Sequence, residues 1–101
     1  MKQKHPVLYL STAEQDLGAL FDYIRKDAPS GAVSFLKKID DRIGRLSRFP
    51  LSGAAPRDRY LRQKRYRVLV VGNYLVFYKL EKGKVFIYRI LHGKRRYEFL
   101  L

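Results

Sequence analysis

Two hydrophobic periods alternate along the chain, and each marks a different kind of element. Val7-Leu8-Tyr9-Leu10 is a short apolar run suited to a first strand. Ala13, Leu17, Leu20, Phe21 and Ile24 then fall at helical spacing, which predicts a helix with one apolar face. Ser11-Thr12-Ala13-Glu14 reads as a capping box at its start, and Pro29 stops it. Ser30 is placed to cap a second helix. Its apolar positions Phe35, Leu36, Ile39, Ile43 and Leu46 again share a face, while Lys37, Lys38, Asp40, Asp41 and Arg42 mostly cover the other side. Phe49-Pro50 closes it, because the residue before a proline avoids the α region. Two amphipathic helices with so short a link predict an antiparallel helical hairpin.

After a loop from Leu51 to Pro56 the period changes. Tyr66 to Val71, Tyr74 to Leu80 and Val85 to Leu91 are rich in β-branched and aromatic residues. Gly72-Asn73 and Lys82-Gly83 supply turn chemistry between them, so the three runs predict an antiparallel meander. His92 to Leu101 is a tail of no defined period. The expected architecture is therefore α+β, a single domain over residues 1–101 in the order β-α-α-β-β-β. The helical hairpin packs on an antiparallel sheet. The first strand joins at an edge or between later strands; both remain open.

Composition narrows the function classes. Hydrophobic residues make up 47% and charged residues 31%, the balance of a globular chain. There is no cysteine, which removes disulfides and thiolate metal sites. No apolar run approaches the roughly 18–20 residues that a membrane span requires, and the short apolar stretch after Met1 is no signal peptide, so a cytoplasmic protein with no membrane role is expected. The formal net charge of +13 is extreme for 101 residues. A field of that size draws polyanions, whether nucleic acid or an acidic protein. Most of the excess lies after Pro56.

Two clusters concentrate it. In the first, Arg57, Arg59, Arg62, Lys64, Arg65 and Arg67 fall within eleven residues, interleaved with Tyr60 and Tyr66. Arginine forks engage phosphates through paired N–H groups, and tyrosine stacks on bases. The second comprises Arg89, His92, Lys94, Arg95, Arg96 and Tyr97. Arg65 and Arg89 should lie at opposite ends of the meander, so a shared basic face is expected rather than a point-like active site. His92 is the one candidate for general acid–base work, since its ordinary pKa lies near neutrality. No group of His, Cys, Asp and Glu has metal-ligand spacing, and no cofactor is implied. Asp40 and Asp41 diverge by about 100° on a helix, which rules out paired-carboxylate chemistry. Tyr74, Tyr78 and Tyr88 read as cross-strand packing residues.

Several segments together resemble the ParE/RelE superfamily of type II toxins. They are Ala13-Glu14-Gln15-Asp16-Leu17 leading to Asp22-Tyr23-Ile24, Leu46 to Pro50 with Gly53, Tyr66-Arg67-Val68-Leu69, Gly72 to Tyr78, and Arg89-Ile90-Leu91-His92-Gly93-Lys94-Arg95-Arg96. The resemblance implies a toxin that arrests bacterial growth and is neutralised by a small acidic antitoxin in a heteromeric complex. Its target is DNA gyrase in the ParE branch, or ribosome-bound messenger RNA in the RelE branch, whose members are endoribonucleases. RelE-like toxins place an arginine beside the tyrosine that opens the middle strand and lysines on the preceding strand. Here those positions fall on Leu75, Tyr66 and Val68. Only the C-terminal arginine has a counterpart, Arg95, with His92 in reserve as a catalytic residue. The resemblance thus favours the gyrase branch. Arg57, Arg59, Arg62, Lys64, Arg65, Arg67, Arg89, Lys94, Arg95, Arg96 and Tyr97 are the expected target-binding residues.

Overall fold

The computed structural model describes residues 4–94 together with Tyr97, Leu100 and Leu101. Its elements run β1 Val7–Tyr9, α1 Ser11–Asp27, α2 Pro29–Gly44, α3 Arg59–Gln63, β2 Arg67–Val71, β3 Tyr74–Glu81 and β4 Lys84–His92. The four strands form one sheet in the order β1-β4-β3-β2. The meander is antiparallel as expected, but β1 lies at the edge and pairs with β4 in parallel, Tyr9 opposite Ile87. The sheet is therefore mixed.

Neither predicted helix cap forms. Ser11 is already helical, Leu10 is the N-cap residue, and no side chain caps it. The chain leaves β1 so abruptly that the first turn is spent reaching β4: the Leu10 amide donates to the Ile87 carbonyl, and Thr12 Oγ1 to the Tyr88 carbonyl. At α2 the cap residue is Ala28 and Pro29 is the first helical residue. Proline suits that position, since its fixed φ is helical and its missing N–H is not needed. Beyond Gly44 the helix tightens into a 3-10 turn, Arg45–Ser47, ahead of Pro50. α3 was not predicted: it is a single turn and a half, capped by Asp58, whose Oδ1 accepts from the Leu61 amide at 3.0 Å.

Both faces of the sheet are covered. The main core lies under the hairpin, where Ile39, Ile43 and Leu46 of the second helical segment meet Leu69, Val71, Val76, Tyr78, Val85, Ile87 and Ile90. Leu17, Leu20 and Phe35 pack against it half-buried, and Ile24 is half-buried at the hairpin's end. A second cluster of Leu61, Tyr66, Phe77 and Leu91 lies on the opposite face, closed by Tyr97, Leu100 and Leu101 of the tail. That explains why β3 is apolar almost throughout rather than alternating: Val76 and Tyr78 serve one core, Leu75 and Phe77 the other.

A bulge sets the site geometry. Phe77 opposes Arg89 while Tyr78 opposes Ile87, leaving Tyr88 as the extra residue in β4. Ile87 and Ile90 can then both face the helices, and Arg89 comes level with α1. Its Nε and Nη2 donate to Asp16 at 2.6 and 2.9 Å, and the Ile90 amide donates to the same carboxylate at 3.0 Å. Both side chains are largely buried, 17% and 12% exposed. The bonds to Asp16 raise the Arg89 pKa further above its ordinary value, against the opposing effect of burial.

This packing ranks three substitutions by their cost in stability. Ile39→Ala should cost on the order of 2–5 kcal/mol in chemical denaturation, because its site is fully closed. Asp16→Ala should cost about 3–5 kcal/mol, since it strands a buried guanidinium and a strand amide. Asp22→Ala, which breaks only an exposed pair with Arg25, should stay within about 1 kcal/mol of wild type. Equal effects for the two aspartates would refute this ranking.

Candidate functional site: a split basic surface

The first basic cluster is built by α3 and the strand that follows it. The turn out of α3 puts Arg65 at a φ of 67°, a left-handed conformation that swings the chain from helix into β2. Arg57, Arg59, Lys64 and Arg65 are exposed. Lys64 Nζ stands 5.3 Å from the ring centre of Tyr60, one helical turn away.

The other two arginines of this cluster are tied to backbone carbonyls, Arg62 at an exposed position and Arg67 at a half-buried one. Arg62 Nη1 donates to the carbonyls of Arg57 and Pro56 at 2.8 and 3.3 Å. Arg67 Nη2 donates to those of Leu51 and Gly53 at 2.9 and 2.7 Å, while its buried Nε has no partner. Tyr78 completes the fastening: its hydroxyl donates to the Pro50 carbonyl and accepts from the Gly53 amide. Gly53 is required there, because a Cβ would lie 2.6 Å from that hydroxyl and 2.8 Å from the Val68 carbonyl. Ala54 then bridges Val68 in both directions at 2.8 Å. Between these groups lies a cleft of about 430 Å³ lined by Leu51, Ala55, Arg62, Arg65, Tyr66, Arg67 and Leu80.

The second cluster lies at the far end of β3. His92 packs edge-on against Tyr74 at 5.3 Å, and Tyr74 in turn against Phe35 at 4.8 Å. His92 Nδ1 accepts from the Lys94 amide at 3.1 Å. Lys94 is exposed, and Tyr97 stacks on Phe77 at 4.9 Å in the second core. Arg95 and Arg96 lie outside the described residues. From Tyr74, beside His92, to Leu80, beside the cleft, β3 advances six residues, roughly 20 Å. The two clusters are thus separate. Arg89 belongs to neither: it sits mid-sheet, opposite Phe77, held by Asp16, and not at the end of the meander.

Sequence reasoning missed one group. On the second face, Lys79 Nζ stands 4.4 and 5.1 Å from the ring centres of Tyr66 and Tyr88, which meet edge-on at 5.2 Å. Burial foremost raises both phenol pKa values, with Glu81 adding to the effect at Tyr88 through its hydrogen bond. Two residues facing the same way on neighbouring strands are the signal, but the bulge at Tyr88 hides it. Among the described residues no group of His, Cys, Asp and Glu could hold a metal ion, only two ion pairs form, and no helix is long and apolar enough to cross a membrane.

Comparison with known proteins bears on what such a surface is for. The family model of the ParE toxin of the type II toxin–antitoxin system parDE matches residues 7–97. Among solved structures, a chain of the chromosomal ParDE system from P. aeruginosa superposes with a TM-score of 0.77 at 17% identity, covering 90% of this chain and 98% of that one. A chain of the RelBE2 toxin–antitoxin complex from Mycobacterium tuberculosis gives 0.59 at 25% identity, covering 88% and 98%. A search of curated proteins gives no match.

The tied arginines generate a prediction of their own. Arg67→Ala removes charge-assisted bonds worth about 1.5–3 kcal/mol each. Trypsin should then cut at Arg57 and Arg59 at least about tenfold faster, with Lys94→Ala unchanged as a control. Unaltered cleavage in the Arg67 variant would mean that the loop is held by other contacts.

Proposed function

The chain belongs to the ParE toxin family of type II toxin–antitoxin systems, and on that premise we propose that it arrests bacterial growth by poisoning DNA gyrase, not by cutting messenger RNA. The observation that carries this reading is the make-up of the sheet's second face. The positions at which RNA-cleaving relatives would present strong cationic groups are Tyr66, Val68 and Leu75, and all three are packed into the second core. The cation beside them, Lys79, is held over two tyrosine rings. The Nδ1 lone pair of His92 is already engaged, since it accepts the Lys94 amide.

On this reading the target contacts fall to the exposed cations Arg57, Arg59, Lys64, Arg65 and Lys94 with Arg95 and Arg96. Arg62, Arg67 and Arg89 hold the scaffold that presents them. A cleaved-DNA complex of gyrase offers dense negative charge, and arginine forks suit it. The antitoxin is an acidic partner that offsets the uncompensated charge. RelE-type cleavage through His92 and Arg95 is the competing reading.

Expression in a bacterium separates the two. Induced alone, the protein should arrest growth and raise the DNA-damage response while leaving messenger RNA intact; co-expressed antitoxin should restore growth. Arg95→Ala with Arg96→Ala should abolish the arrest. His92→Gln should leave it unchanged, whereas an enzyme using His92 for proton transfer would lose about a hundredfold or more in rate. Fragmented messenger RNA with a silent damage response would overturn the proposal.

A further inference from the structure

The solvent face of α2 is segregated by charge in a way that the hairpin's packing does not require. Lys38, Arg42, Arg45 and Arg48 fall at intervals of three or four residues, with Lys37 beside Lys38, on the side away from Ile39, Ile43 and Leu46, Arg42 at its margin. Lys37, Lys38, Arg42 and Arg45 line one shallow hollow, which adjoins a second lined by Lys4, Arg45 and Arg48. Asp41 is the sole acid in either hollow, and it forms no ion pair among the described residues. Of the hairpin's other acids, Glu14, Asp22 and Asp40 line the groove between α1 and α2, and Asp16 is bound to Arg89. A face that existed for solubility alone would mix the signs, as α1 does.

We propose that this face of α2 binds the phosphate backbone of duplex nucleic acid, as a surface separate from the clusters assigned to the target above. Three features select that partner. Among the cations of α2 itself no apolar or aromatic side chain stands, and the one ring in either hollow is Phe49 at the far end, so the face is poor in the apolar anchors of a protein interface and in rings on which successive single-stranded bases stack. Its helical part, Ser34 to Gly44, spans about 16 Å, along which a duplex carries about 10 phosphate charges, and the 3-10 turn that follows adds Arg45 and Arg48 at its end. Small residues lie between the cations. A Cβ at Gly44 would meet nothing within 4 Å, and Ser34 and Ser47 supply short hydroxyl groups, so a backbone can approach closely. One of the cations is fixed in advance, since Arg42 Nη2 donates to the Val70 carbonyl at 3.2 Å.

The test is fluorescence anisotropy of the full chain with DNA and RNA duplexes of about 25 base pairs, a single strand of that length and a polyglutamate peptide, across a salt series. Wild type should bind the duplexes more tightly than the single strand or the peptide, and the DNA and RNA arms say which duplex is preferred. Lys38→Glu with Arg45→Glu should weaken duplex binding at least about tenfold and lower the salt slope by about 1.8, the loss of two phosphate contacts. Lys26→Glu with Lys84→Glu changes the net charge equally, away from this face, and should cost less than about threefold. Should the first variant melt early, Lys38→Gln with Arg45→Gln must give the same change in slope. Equal losses in both charge-reversal variants would leave only net charge at work and overturn the proposal. So would an unchanged slope, or an α2 effect confined to the polyglutamate arm. None of these outcomes depends on gyrase or messenger RNA, so failure here leaves the target assignment standing.

Discussion

β4 is longer than the strand beside it, and the rest of the molecule is arranged around that mismatch. β1 stops at Tyr9, opposite Ile87, so the outer edge of β4 from Tyr88 onward has no strand to bond. An open edge invites pairing with another chain, and a buried one strands polar groups. Here α1 supplies the missing partners from its side chains. Thr12 serves the Tyr88 carbonyl, and Asp16 serves the Ile90 amide while gripping Arg89. One carboxylate therefore fixes the depth and rotation of α1 on the sheet. Through the helical hairpin it also fixes the face that α2 turns outward. The opposite edge is treated alike: Ala54 and Arg42 occupy the bonding groups of Val68 and Val70.

The excess of positive charge is divided between two kinds of work. Arg62, Arg67 and Arg89 spend their N–H groups on backbone carbonyls or a carboxylate, and in doing so hold the loop from Pro50 to Arg57 and the end of β4. Among the described residues most of the others remain exposed and form no ion pair. An alanine scan that treated all arginines alike would confuse loss of fold with loss of binding.

The sequence made much of this legible. The 3.6 period located both long helices, short runs of apolar, β-branched and aromatic residues located all four strands, and Gly72 and Gly83 with positive φ mark the two hairpin turns. Three things escaped. The Ser11 capping box failed because tertiary bonds to β4 claimed the first turn of α1. α3 was too short to show a period, and its capping Asp58 was hidden in a run of arginines. The parallel seat of β1 depends on the long crossover, which local pattern does not encode. For the site, sequence placed the cations in two clusters but could not tell the arginines tied to backbone carbonyls from the others. That distinction depends on which carbonyls the loop turns toward them. The bulge at Tyr88, which moved Arg89 to mid-sheet, left no mark in the pattern.

Purified components separate a toxin that holds gyrase on broken DNA, as proposed, from one that cuts RNA. The protein is added to DNA gyrase with supercoiled plasmid, the mixture is denatured and digested with protease, and linear DNA is measured beside a parallel reaction of translating ribosomes. Linear plasmid should accumulate with toxin dose and disappear when antitoxin is present, while the messenger RNA stays whole. Cleaved messenger RNA with plasmid turnover unaffected would contradict the proposal.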